Sequence, residues 1–189
     1  MIEEYGRTFS GRTETTVIVV PENTWLAKVA SDVLEMVHAY ASDGFVFLDK
    51  GDEVNALASF AYGSGWLDTG VAAGLFTNHP MGIPPKGCTP DIPEALSEHL
   101  NEKTFRYQRM LASALSSVCI NSEPELPLYP AGKEICTITH QYYIAGSIET
   151  EAANLADGLA LLSYAYGWID AGVRTGILKV VKNPELFTV

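Results

Sequence analysis

Apolar residues recur at helical spacing over most of the chain. Leu26, Val29, Val33, Val37 and Tyr40 follow Trp25 on one face, and Pro21-Glu22-Asn23-Thr24 before them reads as a helix start capped by Asn23 or Thr24. The pattern predicts a helix ending near Lys50-Gly51 and a second from Asp52 to about Thr77, stopped by Asn78-His79-Pro80. Residues 78–93 hold five prolines and two glycines and read as a linker. Beyond it, a helix over residues 94–118 carries Leu100, Phe105, Tyr107, Leu111, Ala114 and Leu115 as its apolar stripe. Residues 121–132, with three prolines, form a loop, and two more helices are predicted over 133–149 and 151–181. The β-branched run of residues 13–20 breaks this pattern and reads as strand or extended chain.

The pattern occurs twice. Residues 38–76 laid on 140–178, an offset of 102, agree at 12 of 39 positions, where ordinary composition would give about two or three. Over residues 57–74 against 159–176 the agreement is 9 of 18, as L-A-x-x-x-Y-x-x-G-W-x-D-x-G-V-x-x-G. Such self-similarity marks two copies of one structural unit. The expected division is residues 1–78, a linker at 79–93, and residues 94–189. Tyr5 and Arg7 match Tyr107 and Arg109 at the same offset, but the opening helix of the first copy is expected to be degenerate, missing or remodelled.

The repeated helix is apolar all round, which predicts burial on every side. Leu57, Phe60, Leu67, Val71 and Leu75 take one flank. A line of small residues (Ala56, Gly63, Gly70 and Gly74, then Gly158, Ala165, Gly172 and Gly176) runs beside them in both copies. Each interior glycine costs about 1 kcal/mol relative to alanine, so close approach of another backbone must offset several such terms. The expected partner is the equivalent helix of the other copy across a pseudo-two-fold axis; a second chain is the alternative. GxxxG spacing at Gly70–Gly74 and Gly172–Gly176 is also a membrane signature. Asn55, Ser59, Ser64 and Asp68 in one copy, and Asp170 and Arg174 in the other, argue against a span, since a central charge costs about 2.5–3.5 kcal/mol there.

Charge narrows the partners. The chain carries a net −11 with no Lys/Arg cluster, so nucleic acid lacks its electrostatic footprint. Cys88, Cys119 and Cys136 form no CxxC pair and no even framework, which fits a reducing cytoplasm. The apolar run at residues 17–20 is too short for a secretory segment. No phosphate-binding loop, dinucleotide fingerprint or nucleophile elbow is present, and no cofactor is implied. The chemistry-bearing residues kept in both copies are His38 and His140, Tyr62 and Tyr164, Trp66 and Trp168, and Asp68 and Asp170. Antiparallel packing would bring each histidine level with its tyrosine. Tyrosine hydroxyls, tryptophan N–H groups and the histidine could then satisfy each buried aspartate, with Arg174 placed to pair with Asp170. These residues form either two polar layers that fix register or a small-molecule or metal site between the copies. The metal signal is poor, because the paired His and Asp lack ligand spacing. His79 and His99 are expected in solvent, Cys88 as a linker thiol, and Cys119 and Cys136 as small core residues.

The run Phe47-Leu48-Asp49-Lys50-Gly51-Asp52, then Tyr62 and Gly65-Trp66-Leu67-Asp68-Thr69-Gly70, resembles the archaeal family called domain of unknown function 357. Tyr164-Ala165-Tyr166-Gly167-Trp168-Ile169-Asp170-Ala171-Gly172-Val173 is similar to it too, and Arg106-Tyr107 with Leu111 and Ala114-Leu115 resembles its opening helix. The resemblance implies a three-helix unit present twice and brings no catalytic residues. The second copy lacks the Lys-Gly-Asp turn at residues 150–154. The expected protein is all-α, two tandem helical bundles about a pseudo-two-fold axis with a short strand near the N-terminus. The expected function is a soluble, non-enzymatic interaction or assembly module that pairs with itself as a homodimer, or with another protein. A small-molecule or metal site between the repeats is the alternative.

Overall fold

The computed structural model describes residues 2–77, 80–82 and 92–188. Six α-helices are found among them: α1 (Ile2–Glu14), α2 (Trp25–Asp49), α3 (Glu53–Ala72), α4 (Ser97–Leu115), α5 (Tyr129–Glu151) and α6 (Leu155–Arg174). Strands β1 (Val118–Ile120) and β2 (Leu178–Val180) pair antiparallel, with Ile120 opposite Leu178. At the same offset, Ile18 bridges Phe76 in the first copy. The extended stretch near the N-terminus is therefore real, and its counterpart in the second copy is a full ladder.

Helix α1 corrects one expectation. The first copy has its opening helix, because Ile2 and Phe9 are buried and Gly6 lets the Phe60 ring lie against the α1 backbone. Packing rather than periodicity holds it. Helices α4 and α6 are shorter than expected. Gly74 and Gly176 take φ of +70° and +75°, ending α3 and α6 in left-handed caps. Thr24 caps α2 by accepting from Ala27 N–H at 3.1 Å. Trp25 and Leu26 at its start are exposed, leaving Val29, Val33 and Val37 as the buried row.

The hairpin turns are alike in both copies. Asp52 N–H donates to Phe47 C=O and Asn154 N–H to Glu149 C=O, each at 2.9 Å. Gly51 at φ +71° is matched by Ala153 at φ +63°. The turn is kept without the Lys-Gly-Asp sequence, at the expense of a left-handed alanine.

Helices α3 and α6 form the centre and pack on each other. Helix α2 covers α3, and α4 and α5 cover α6. Residues of both copies form a single hydrophobic core that includes Phe60, Leu67, Leu159 and Ile169. No described helix is long and apolar enough to cross a membrane.

Candidate ligand site between the repeats

The α3–α6 crossing is set by two glycines outside the expected small-residue line. A Cβ on Gly65 would meet the Tyr164 carbonyl oxygen, and Trp168 N at 3.0 Å; one on Gly167 would meet the Tyr62 carbonyl oxygen, and Gly65 Cα at 3.2 Å. Gly65 and Gly167 are pseudo-equivalent, so the axis passes between them. The expected line serves other purposes. Gly63 admits Phe9 and Tyr40, Gly70 the Phe76 ring, Gly172 Leu178 and Ile135, and Gly158 the Thr150 hydroxyl. Ala56 and Ala165 are fully buried. Gly74 and Gly176 are caps with nothing within 4 Å of a built Cβ, which corrects their reading as packing residues.

Backbone contact at this point brings the conserved pairs of the repeat across the axis. Tyr62 Oη donates to Asp170 Oδ2 at 2.5 Å, and Tyr164 Oη donates to Asp68 Oδ2 at 2.7 Å. Each aspartate is thus held by the tyrosine of the other copy. Each also accepts a backbone N–H from the segment following its own unit: Gly82 to Asp68 Oδ2 and Thr188 to Asp170 Oδ1, both at 2.8 Å. The copies differ in one donor. Arg12 Nη2 donates to Asp68 Oδ1 as a buried ion pair, whereas Ala114 takes that position in the second copy. Asp170 therefore has no equivalent of the Arg12 ion pair, and burial raises its pKa against the lowering effect of the Thr188 and Tyr62 hydrogen bonds and of Arg174 nearby.

The histidines do not join these layers. His38 and His140 are exposed, because each lies just off the buried row of its helix. Their places are taken by Tyr40 and Tyr142, which pack on Tyr62 and Tyr164 with ring centroids 4.8 and 4.7 Å apart. Both tyrosines are identical between the copies, so the offset comparison held the signal. Burial first and Asp170 second push the Tyr40 hydroxyl up to about 12. Trp66 and Trp168 are buried, but their Nε1 atoms reach no hydrogen-bond partner, so they do not serve the aspartates. Arg174 pairs with Asp32 at 3.1 Å rather than with Asp170, since Tyr62 and Thr188 already occupy that carboxylate.

His99 lies on α4, half-buried, with Nδ1 3.7 Å from Asp52 Oδ1. Cys119 is exposed on β1 instead of packed, because its neighbours in the strand take the inward positions; Cys136 is half-buried. His79 and Cys88 fall outside the described residues. His140 and Cys136 line an open, mostly apolar cavity of about 580 Å³ with Tyr143 and Ile169. No group of three or more His, Cys, Asp or Glu among the described residues could hold a metal ion.

A cavity of about 540 Å³ opens on the Asp170 face, between the copies. Helices α2 and α3 contribute Tyr40, Asn55, Ser59 and Tyr62; α4 and α6 contribute Lys103, Tyr107 and Tyr166; residues 185–188 close one side. Tyr166 Oη donates to Leu186 C=O at 2.5 Å, and Phe187 is buried, which fastens this C-terminal segment. Lys103, not singled out by sequence, is 8% exposed, donates to Asn55 Oδ1 at 2.5 Å and lies 5.2 Å from the centre of the Tyr107 ring. Its environment is aromatic and phenolic. Hydrogen-bonding and cation–π groups converge here on an open cleft.

These features define a class: an all-α protein made by tandem duplication of a three-helix unit and closed on itself about a pseudo-two-fold axis. The chain belongs to the family described as protein of unknown function (DUF357), whose model matches it over residues 4–76 and again over 106–178. The first match begins within α1, so the opening helix belongs to both copies. Comparison with curated proteins and with solved structures gave no match.

Proposed function

We propose that this protein binds a small organic molecule in the cavity between its repeats. The observation that carries the reading is Lys103, a nearly buried amine in the wall of a cavity lined by Tyr40, Tyr62, Tyr107 and Tyr166. A lysine is rarely buried to this degree without a partner for its charge, and here the hydrogen-bond acceptor is a neutral amide. The Asp68 and Asp170 layers are packed and hydrogen-bonded, so they act as the frame of the site. The test is a thermal-shift screen of small aromatic and carbonyl compounds against the full chain and a Ser59→Phe variant, whose ring would fill the cavity. Compounds that stabilise the wild type and not the variant support the reading. A screen in which no compound separates the two proteins overturns it.

A second reading, assembly through self-association, is favoured by one observation. Val17, Val19, Trp25 and Leu26 are 57, 54, 67 and 42% exposed within a short stretch, an apolar surface of the kind that marks interaction sites. The glycine contacts of α3 and α6 are made within one chain and give this reading no support. Light scattering across micromolar concentrations tests it: a dimer that Trp25→Ser dissociates is expected, and a monomer throughout sinks it.

A further inference from the structure

Resting on the reading of this cavity as a ligand site, we propose that Lys103 is its reactive group, an amine that forms an imine with a small aldehyde or ketone. The arrangement around Nζ carries this. One N–H is held by Asn55 Oδ1 at 2.5 Å. The only carboxylate in that chain of contacts, Asp52, is one residue removed. Asp52 accepts from Asn55 Nδ2 at 2.6 Å and caps α3 at Asn55 N–H at 3.0 Å, so it orients the amide that orients the amine. The amine is thereby fixed in place while meeting a dipole instead of an anion. Burial first and the neighbouring Arg106 second favour its uncharged form and outweigh Asp52 and Glu102, which favour the charged one, so its pKa lies below the ordinary lysine value; the uncharged amine is the nucleophilic form.

Charge around the cavity selects among ligands. Asp43 and Glu185 line it and are exposed, so an anionic ligand would meet two carboxylates before reaching Lys103, whereas an uncharged carbonyl compound would not. Phenols supply the remaining groups. Tyr62 and Tyr166 donate to Asp170 and Leu186, and Tyr40 and Tyr107 stand in the same lining as Lys103. The arrangement is confined to this face: Asn55 corresponds to Asp157 in the other copy, where a carboxylate replaces the neutral acceptor.

The step balances without a redox partner. The Lys103 lone pair attacks the carbonyl carbon, and the C=O π pair moves to oxygen, which takes up a proton. The ammonium nitrogen gives one proton to solvent to form the carbinolamine, whose hydroxyl takes up a proton and leaves as water as the nitrogen lone pair forms C=N; the remaining nitrogen proton then passes to solvent. Amine and carbonyl give imine and water.

The test is reductive trapping. The full chain is incubated at near-neutral pH with benzaldehyde and sodium cyanoborohydride, and the benzyl adducts are located by peptide mass mapping. Lys103 is expected to be labelled at least tenfold faster than exposed Lys28 and Lys179. That adduct should disappear in Lys103→Arg and fall at least tenfold in Ser59→Phe. Labelling of Lys103 no faster than the surface lysines overturns the proposal and needs no variant to fold. Equal labelling in Ser59→Phe also overturns it, because the aldehyde would not be using the cavity. A parallel titration with benzyl alcohol, uncharged and unable to form an imine, separates the two readings. Benzyl alcohol binding that is lost in Ser59→Phe, with no trapped imine at Lys103, removes the carbonyl chemistry and leaves the cavity as a ligand site. If neither probe responds to Lys103 or to cavity filling, both readings fail together.

Discussion

Gly65→Ala tests the geometry on which the site depends. The substitution removes a glycine from the interior of α3, which by helix propensity alone would stabilise the protein by about 0.8–1.0 kcal/mol. The new methyl, however, would be driven into the α6 backbone, at the Tyr164 carbonyl oxygen, Trp168 N at 3.0 Å and Gly167 Cα at 3.1 Å. A side chain could rotate away; a backbone in the middle of a buried helix cannot, so the two helices must separate. Overpacking of this kind costs about 1–3 kcal/mol, and the upper end applies where the obstacle is rigid. The net effect is a loss of about 2 kcal/mol after the propensity gain. For a protein of this size that lowers the melting temperature by about 4–8 °C. Gly11→Ala is the control: Gly11 lies in α1 with nothing within 4 Å of its built Cβ, so the same propensity gain should raise the melting temperature by about 2–4 °C. Thermal unfolding by circular dichroism measures both. If Gly65→Ala melts at or above the wild type, the central crossing is not a backbone contact and the pseudo-two-fold packing argument is wrong.

The two Tyr–Asp layers should respond unequally. Tyr62→Phe leaves Asp170 hydrogen-bonded by Thr188 alone and should cost about 2 kcal/mol, whereas Tyr164→Phe should cost about half that because Arg12 and Gly82 still hold Asp68; urea denaturation of both variants gives the comparison, and equal losses would refute it. Ala153→Gly should stabilise by about 1 kcal/mol by relieving a left-handed alanine, and Gly51→Ala should lose a similar amount; opposite shifts in melting temperature are the expected result. Asp170 titrates above the ordinary carboxylate range in the folded chain. The folded state therefore holds this proton more tightly than the unfolded one, and the associated stability is present below about pH 4 and lost as pH rises through the folded pKa. Relative to wild type, Asp170→Asn should thus gain stability as pH is raised from there, measured by melts across pH; a variant that loses stability relative to wild type over that range would contradict the assignment.

Repetition made most of the frame legible. Positions shared by both copies, Tyr62 with Tyr164, Gly65 with Gly167 and Asp68 with Asp170, are those at which the halves touch, because a symmetric contact asks the same residue type of each side. Periodicity located α2, α3, α4, α5 and α6. It failed for α1, whose helical state depends on Phe9 and Gly6 meeting Phe60, a contact some fifty residues away in sequence. It also missed β1 and β2, since three-residue strands that follow a helix within a few residues read as helix ends. The histidines misled for a simpler reason. Both are kept in the repeat, yet one residue of rotation, about 100° of helical turn, separates Val37 in the core from His38 in solvent.

The cavity was hidden because it arises where the copies disagree. Arg12 pairs with Asp68 on one face, and Ala114 stands at the equivalent position on the other. Ser64, which accepts from Tyr5 Oη at 3.2 Å, gives way to Tyr166, whose hydroxyl instead fastens the C-terminal segment. Asp157 becomes Asn55, which holds Lys103. A duplicated unit closed on itself begins with two equivalent faces, and equivalent faces impose equivalent chemistry. Divergence at a few buried positions lets one face become a packed ion pair and the other an open, phenol-lined cleft, while the glycine crossing keeps both in register. On that logic, alanine at a shared buried position should lower stability whichever face it occupies, whereas alanine at Lys103 should abolish ligand response at little expense to folding, because Lys103 has no place in the symmetric frame.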